Sequence, residues 1–272
     1  MPEGDSAWRA AHHLHRALAG RTVDRFELRM PNLAVKDLRG AHIHGAEARG
    51  KHMLLRIDDY TVHSHFGMDG SWRLVPPPGS QARPGRRGPT VAWPAEHRIR
   101  AIVGTDAVIA LGIDLARLEL WPTADEHEHL GYLGPDLLAE EPDLAEAARR
   151  ILAEPTRPIT GALLDQRNVA GLGNEYVTEM CFIRGVLPTR SVAEAGEVHE
   201  WLELGRRLLL ANRDRVERTF TGNLRDRNWV FSRGGEPCKR CGTTILEGKH
   251  DSGSRQRGAQ WRDSTWCPSC QG

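Results

Sequence analysis

The chain has 272 residues, 39% hydrophobic and 27% charged, which excludes a disordered or fibrous chain and suits about two domains. With 37 Lys and Arg against 36 Asp and Glu, the formal net charge of +1 makes no whole-chain electrostatic case for nucleic acid or membrane. No apolar run approaches the ~18 residues of a membrane helix, the start MPEGDSAW lacks the basic and apolar parts of a signal peptide, and five cysteines without a secretion signal favour metal binding or catalysis over a disulfide framework, so a cytoplasmic protein is expected.

From Asp5 to Ala19, Trp8, Ala11, Leu14 and Leu18 recur at three- and four-residue spacing, with Asp5 or Ser6 as a candidate N-cap and Gly20 as a stop. One amphipathic helix is predicted. Strand-like sequence follows at Val23–Met30, Met53–Ile57, Tyr60–Phe66, Ser71–Val75, Arg98–Val103 and Val108–Leu111, separated by Gly, Asp and Pro turns. Many short strands behind one helix predict an antiparallel sandwich or barrel up to about Trp121. Val75–Pro94, rich in Pro, Gly and Arg, reads as a long exposed loop. From Pro142 the period becomes helical: Leu144, Ala147, Ala148, Ile151 and Leu152 share one face, and Ile159, Leu163 and Leu164 another. Asn174–Phe182 and Val198–Asn212 continue that series, and the stretch from Gly234 is too polar to build a core by itself. The expected class is α+β, with domains at 1–121, 122–233 and 234–272.

The near-zero net charge is unevenly placed. Between Asp125 and Glu146 there are eight acidic residues and no Lys or Arg, whereas between Arg213 and Asp263 twelve basic residues face seven acidic ones. An acidic linker and a basic C-terminal segment able to meet phosphates would give this pattern; so would arginines covering an ordinary helical surface.

Cys238-Lys239-Arg240-Cys241 and Cys267-Pro268-Ser269-Cys270 form two Cys-x-x-Cys knuckles with 25 residues between them. Two residues between thiolates let both sulfurs reach one ion at ~2.3 Å, and two such pairs complete a tetrahedral site with no position for water, which predicts one structural Zn2+. The gap exceeds the usual ~15–20 residues and implies a longer hairpin. Cys181, in an apolar helical context, reads as an inert core thiol. Within the finger, Arg255-Gln256-Arg257-Gly258-Ala259-Gln260-Trp261-Arg262 is a basic stripe suited to gripping phosphate.

Four separated motifs then converge: Met1-Pro2-Glu3-Gly4 at the start, Arg49-Gly50-Lys51-His52-Met53-Leu54, the segment Leu164–Tyr176 (LDQRNVAGLGNEY), and Arg262–Gln271 (RDSTWCPSCQ). Their order and full-length span resemble the Fpg/Nei family of DNA glycosylase/AP lyases. The Pro2-Glu3-Gly4 start and the lack of an arginine-rich D-P-R-R-F segment resemble the endonuclease VIII branch, most of all its actinobacterial members. The resemblance implies an N-terminal helix and antiparallel β-sandwich carrying catalysis, a helix–two-turn–helix domain and a four-cysteine zinc-ribbon finger. It also implies damaged double-stranded DNA as partner, a monomer, and no membrane.

Residue roles follow from the resemblance and agree with the chemistry. With Met1 removed, Pro2 carries a secondary amine that titrates near ~8, so a useful fraction is neutral and can attack C1′ of a deoxyribose. The resulting iminium is an electron sink for elimination of the 3′ and then the 5′ phosphate. Glu3 corresponds to the general acid/base on the sugar and departing base, and Lys51 to the family lysine that contacts phosphate beside the lesion. Asn174 closes Gly171-Leu172-Gly173-Asn174 before a helix, where glycines and helix N–H groups can meet a phosphate; a helix–helix turn with Asn as N-cap fits the same residues. Arg262 matches the finger arginine that grips the phosphates flanking a flipped nucleotide. Met68 is the candidate wedge that fills the vacated stack, with a core methionine at a strand end as the other reading. His63 and His65 read as strand residues near the DNA face.

One departure from the branch concerns lesion recognition. Endonuclease VIII members carry Pro-Glu where this chain has Asp5-Ser6, so the acid expected near the lesion is replaced by a hydroxyl or displaced to Asp5. No second or third wedge is identifiable in Gly112–Leu120. The leading expectation is a bifunctional glycosylase for oxidised bases, preferentially pyrimidines, cleaving by β,δ-elimination. A catalytically silent damage-binding protein and a purine (8-oxoguanine) glycosylase are the alternatives.

Overall fold

The computed structural model describes residues 2–77, 93–253 and 261–272. Most of the Val75–Pro94 loop and the stretch 255–260 of the basic stripe therefore lie outside the described residues. The chain divides into two compact units, one of Pro2 and Ser6–Gly131, the other of Glu3–Asp5 and Tyr132–Gly272.

Helix α1 (Gly4–Leu18), which from Ser6 onward belongs to the first unit, buries Ala7, Ala11, Leu14 and Leu18 as one stripe. Trp8 stands on its flank, stacked on His12 with ring centroids 4.9 Å apart, so Ala7 rather than Trp8 opens the core face. Eight strands follow: β1 (Arg25–Leu28), β2 (Ile43–Arg49), β3 (His52–Ile57), β4 (Tyr60–His65), β5 (Ser71–Val75), β6 (Ile99–Gly104), β7 (Ile109–Ile113) and β8 (Arg117–Pro122). They form two antiparallel four-stranded sheets, ordered β1-β6-β7-β5 and β2-β3-β4-β8. Phe26, Leu28, Ala101 and Val103 from one sheet and Ile43, Met53, Leu55, Ile57 and Val62 from the other share a core with the α1 stripe. Each such buried aliphatic or aromatic side chain contributes about 1.5–3 kcal/mol of transfer free energy. A bulge at Arg100 brings Ile99 and Ile102 into a second cluster with Val75, Ile109, Leu111 and Ile113. The short helix α2 (Glu126–Leu130) ends the unit.

The second unit is built on α3 (Leu144–Leu152), α4 (Ile159–Leu164), α5 (Asn174–Arg184) and α6 (Val198–Asn212). Asp143 caps α3 by accepting the Glu146 N–H at 2.8 Å. Helix α5 is buried along Glu175–Phe182 and ends at Gly185, whose φ of 71° supplies a left-handed cap. Cys181 is fully buried within it, and burial pushes its thiol up to about 12. Glu179, on the same helix, accepts the backbone N–H groups of Trp229, Val230 and Phe231 at 2.8, 2.9 and 2.7 Å and so pins that segment to α5. The finger contributes an antiparallel hairpin of β9 (Leu246–Asp251) and β10 (Trp261–Trp266) in the register Trp261 to Asp251 through Trp266 to Leu246. Phe182, Val230, Cys238, Ile245 and Cys267 pack together beneath it. The expected α+β class is what the chain adopts. Among the described residues, no helix is long and apolar enough to cross a membrane.

Candidate active site and nucleic-acid interface

The segment between α4 and α5 is shaped largely by its own polar side chains, with backbone bonds to Pro135 and Gly134. Asp165 Oδ1 accepts the Arg167 N–H at 3.1 Å, closing the first turn. The Gln166 amide crosses the loop, accepting from Gly171 N at 3.0 Å and donating to Leu172 O at 2.9 Å. Asn168 donates back to Ala162 O at 3.0 Å. Gly171, at φ 109°, takes a backbone conformation that other residues rarely adopt. The loop is thus two tight turns between helices, and its polar residues are consumed in shaping it.

The second of those turns receives the chain's N-terminal segment. Gly4 donates to Gly171 O at 2.9 Å, and a Cβ on Gly4 would lie 2.9 Å from Gly171 Cα. The Glu3 side chain is fully buried, and its Oε1 accepts the Glu175 N–H at 3.0 Å in the first turn of α5. At Gly173 an added Cβ would lie 2.4 Å from Glu3 Cδ, so only glycine leaves room for this carboxylate. A helix N-terminus favours a negative group through its exposed N–H groups and dipole.

Asp5 continues inward rather than outward. Its Oδ1 accepts from Arg218 Nη2 at 2.9 Å and its Oδ2 from the Tyr176 hydroxyl at 3.1 Å, with only 1% of the residue exposed. Arg218 also donates to Glu175 Oε2 at 2.9 Å and stands 3.8 Å from Glu3 Oε1. Asp5 is therefore committed to a buried charge cluster. Neither Arg218 nor Glu175 stands out in sequence, because the Asp5 partner of Arg218 is 213 positions away.

Asn174 is the first residue of α5, and Gly173, not Asn174, occupies the N-cap. The Asn174 side-chain amide donates to Asp263 O at 3.0 Å, which ties it to β10 beside Arg262. Arg262 is half-buried opposite His250, and its Nε is buried without a hydrogen-bond partner among the described residues. His250 is itself fixed, between Ser264 Oγ at 3.0 Å and Thr160 Oγ1 at 2.9 Å. Glu3 and Asn174 thus meet at the start of α5, and the Asn174–Asp263 bond sets the strand that carries Arg262 beside it.

Lys51 and Met68 belong to the first unit. Gly50 and Lys51 form the two-residue loop of the β2–β3 hairpin, with Arg49 paired to His52 and Gly50 at φ 59°, the positive φ that such loops reserve for glycine. Met68 is 62% exposed in the turn between β4 and β5. Gly67 at φ 67° and the Gly70-to-Phe66 hydrogen bond of 3.0 Å make that turn tight, so the core-methionine reading does not apply. His63 and His65 lie on β4 as expected. Burial holds the imidazoles of His52 and His63 down at about 3, with the positive neighbours Arg117 and His65 acting in the same direction, and His65 is lowered for the same reason.

Cys238, Cys241, Cys267 and Cys270 bring their sulfurs within 4.8 Å of one another. Sγ separations of 3.9 Å for Cys238–Cys270 and 3.4 Å for Cys241–Cys267 bracket the ~3.8 Å edge of a tetrahedron with ~2.3 Å metal–sulfur bonds. Gln271 holds the second knuckle against the end of α5 by accepting from Cys267 N at 2.8 Å and donating to Val186 O at 2.9 Å. The four thiols fit one metal ion.

A β-sandwich, a helix–two-turn–helix and a four-cysteine hairpin in one chain define a glycosylase architecture, and comparison with known proteins agrees. Residues 1–106 match the formamidopyrimidine-DNA glycosylase N-terminal domain and residues 133–200 its H2TH domain. The chain belongs to the Fpg/Nei family of DNA glycosylase/AP lyases, in its endonuclease VIII branch. It is 43% identical to a probable endonuclease 8 2 of Streptomyces coelicolor, covering all of this chain and 94% of that one. It is 40% identical to the DNA-(apurinic or apyrimidinic site) lyase Nei2 of Mycolicibacterium smegmatis, covering all of this chain and 99% of that one. An endonuclease 8 of Escherichia coli is 31% identical over the full length of both chains. Among solved structures, Lactococcus lactis Fpg in complex with DNA containing an abasic site superposes with a TM-score of 0.77 at 22% identity, covering 99% of each chain, which shows a shared fold.

Proposed function

We propose that this glycosylase/AP lyase excises oxidised bases, preferentially pyrimidines, from double-stranded DNA and cleaves the abasic site by β,δ-elimination through a Schiff base on Pro2. The observation that carries the reading is the burial of Glu3 at the N-terminus of α5. A carboxylate covalently next to the terminal amine is built into the helical unit that presents Asn174 and Arg262.

In this account the Pro2 nitrogen attacks C1′ as the bond from C1′ to the base breaks, and Glu3 moves protons at the sugar and the departing base. Opening of the ring leaves an iminium between Pro2 and C1′. Loss of a C2′ proton then expels the 3′ phosphate, a second elimination expels the 5′ phosphate, and water releases Pro2. Lys51, Asn174 and Arg262 hold the phosphates of the damaged strand, and Met68 enters the stack from which the nucleotide is extruded. The guanidinium of Arg262 suits a phosphate oxygen through its forked N–H groups. Cys238, Cys241, Cys267 and Cys270 hold one structural Zn2+ that rigidifies the hairpin carrying Arg262. The preference for pyrimidines is what the resemblance to the endonuclease VIII branch implies.

Single-turnover cleavage of duplexes carrying an oxidised pyrimidine, 8-oxoguanine or an abasic site tests this reading. Faster excision of the pyrimidine, with both elimination products, is expected. Faster excision of 8-oxoguanine would move the enzyme to the purine specialists.

A further inference from the structure

Arg218 is the centre of a buried charge cluster for which the proposed chemistry has no use. Its guanidinium reaches Asp5 Oδ1 and Glu175 Oε2, both at 2.9 Å, and lies 3.8 Å from Glu3 Oε1. Side-chain exposure is 12% for Arg218, 11% for Glu175, 2% for Asp5 and 0% for Glu3. One cation and three carboxyl groups in so dry a place are costly unless each is held. Burial opposes the charge on Arg218, but Asp5, Glu3 and Glu175 outweigh it, so the guanidinium holds its proton more firmly than an exposed one. Burial, followed by the charge of Asp5, raises the Tyr176 hydroxyl, which therefore remains a donor to Asp5.

Arg218 is fixed from behind as well. The buried Asn212 side chain accepts from Thr219 N at 2.8 Å and donates to Thr219 O at 3.2 Å, clamping the backbone next to Arg218. Tyr176, whose ring lies 5.4 Å from the guanidinium carbon, is braced edge-on by Phe220 with ring centroids 4.9 Å apart. The rigid end of the cluster is thus the helical unit, and what it grips is Glu3–Asp5, the residues directly behind Pro2.

We infer that Arg218 is a positioning residue for catalysis: through Asp5 and Glu175 it fixes the N-terminal segment on α5, so that Pro2 and Glu3 present amine and carboxylate in one geometry. The inference rests on the proposed roles of Pro2 and Glu3. It assigns Asp5 as the handle by which the segment is held, in place of a lesion-facing acid. An N-terminal amine has no secondary structure of its own to orient it, and a misplacement of about 1 Å can cost on the order of a hundredfold in rate.

The test is borohydride trapping of the full-length enzyme on an abasic-site duplex, measured as a single-turnover rate beside the Kd for the same duplex. Arg218→Met is expected to slow trapping by about 10- to 100-fold, with Kd changed less than about threefold, and Arg218→Lys to recover part of the rate. Asp5→Ala should slow trapping similarly. The double variant should lose less than the product of the two single losses, because both remove the Arg218–Asp5 contact. Should Arg218→Met fail to fold by circular dichroism, Arg218→Lys and Asp5→Ala carry the same comparison. Full-rate trapping by any folded variant that lacks the Arg218–Asp5 contact would overturn the inference. So would equal losses in rate and Kd without rescue by lysine, which mark a merely structural role. If the wild-type enzyme itself traps through a residue other than Pro2, the catalytic reading fails instead, and the two failures are distinguishable.

Discussion

Lowering the pH from 7.5 to 5.5 should weaken the β-sandwich unit through two histidines. His52 and His63 are 6% and 1% exposed and share a hydrogen bond of 2.8 Å between Nδ1 and Nε2. His63 Nδ1 donates to Glu119 Oε2 at 2.9 Å, which leaves Nε2 bare to accept the His52 Nδ1–H. Burial and the positive neighbours outweigh the Glu119 carboxylate, so this is a neutral imidazole donating to an anion and not an ion pair. Both imidazoles titrate at about 3 in the fold against 6.5 when exposed, so the unfolded chain binds more protons. Their contribution is complete above pH 6.5 and is lost as the pH falls towards 3. One unit below the exposed value the loss is about 1.4 kcal/mol per histidine, or about 2.7 kcal/mol for both relative to pH 7.5. That size depends only on the folded values lying well below 5.5. For a unit of about 130 residues it amounts to roughly 8–10 °C in Tm. Calorimetry of the wild type and of His63→Gln at both pH values isolates the effect from the remaining histidines. The variant's loss between pH 7.5 and 5.5 should be smaller by about 1.4 kcal/mol. An identical loss in both proteins would show that His63 does not enter the fold as a buried neutral base.

Other expectations concern DNA and the finger. Arg262→Ala should weaken duplex binding regardless of sequence and reduce the slope of log K against log salt by about one; an unchanged slope removes Arg262 from the phosphate contacts. Stripping the metal with a chelator should abolish DNA binding and melt the finger's circular dichroism signal, whereas retained binding in metal-free protein contradicts a structural role for the four thiolates. Gly173→Ala would drive a Cβ into the Glu3 carboxyl group, which lies 2.4 Å from that position. Trapping on abasic DNA should then fall on the order of a hundredfold with DNA affinity largely kept, and an unaffected rate would show that the Glu3 seat is not needed.

Most strands and every long helix were legible from periodicity, because each presents a stripe or an alternation to a core. β2 and β8 were not, and both are edge strands of their sheet. So are β1 and β5, which were legible, so edge position is not the cause: IHGAEAR carries one large apolar side chain, and RLELWP buries Leu118 and Trp121, three apart and out of step with strand alternation. β2 also carries a register shift between Ile43 and Gly45, where a Cβ at Gly45 would lie 2.4 Å from the His15 ring. At the site, the cysteines that gather in the fold were readable from two contiguous knuckles, and Pro2, Glu3 and Lys51 were singled out by motifs of the resemblance. The alternative reading of Asn174 as N-cap does not hold, since Gly173 takes that place and leaves room for Glu3. The cluster of Asp5, Glu175, Tyr176 and Arg218 left no local pattern, because its partners meet only through the tertiary fold.

The central claim is that Pro2 is the nucleophile. Borohydride reduction of the enzyme on abasic-site DNA, followed by mass mapping of the cross-linked peptide, tests it most directly. The account predicts one adduct, on the nitrogen of Pro2, and neither adduct nor strand cleavage when an N-terminal extension turns that nitrogen into a peptide nitrogen. An adduct on a lysine, or full cleavage by the protein with the extended N-terminus, would contradict it.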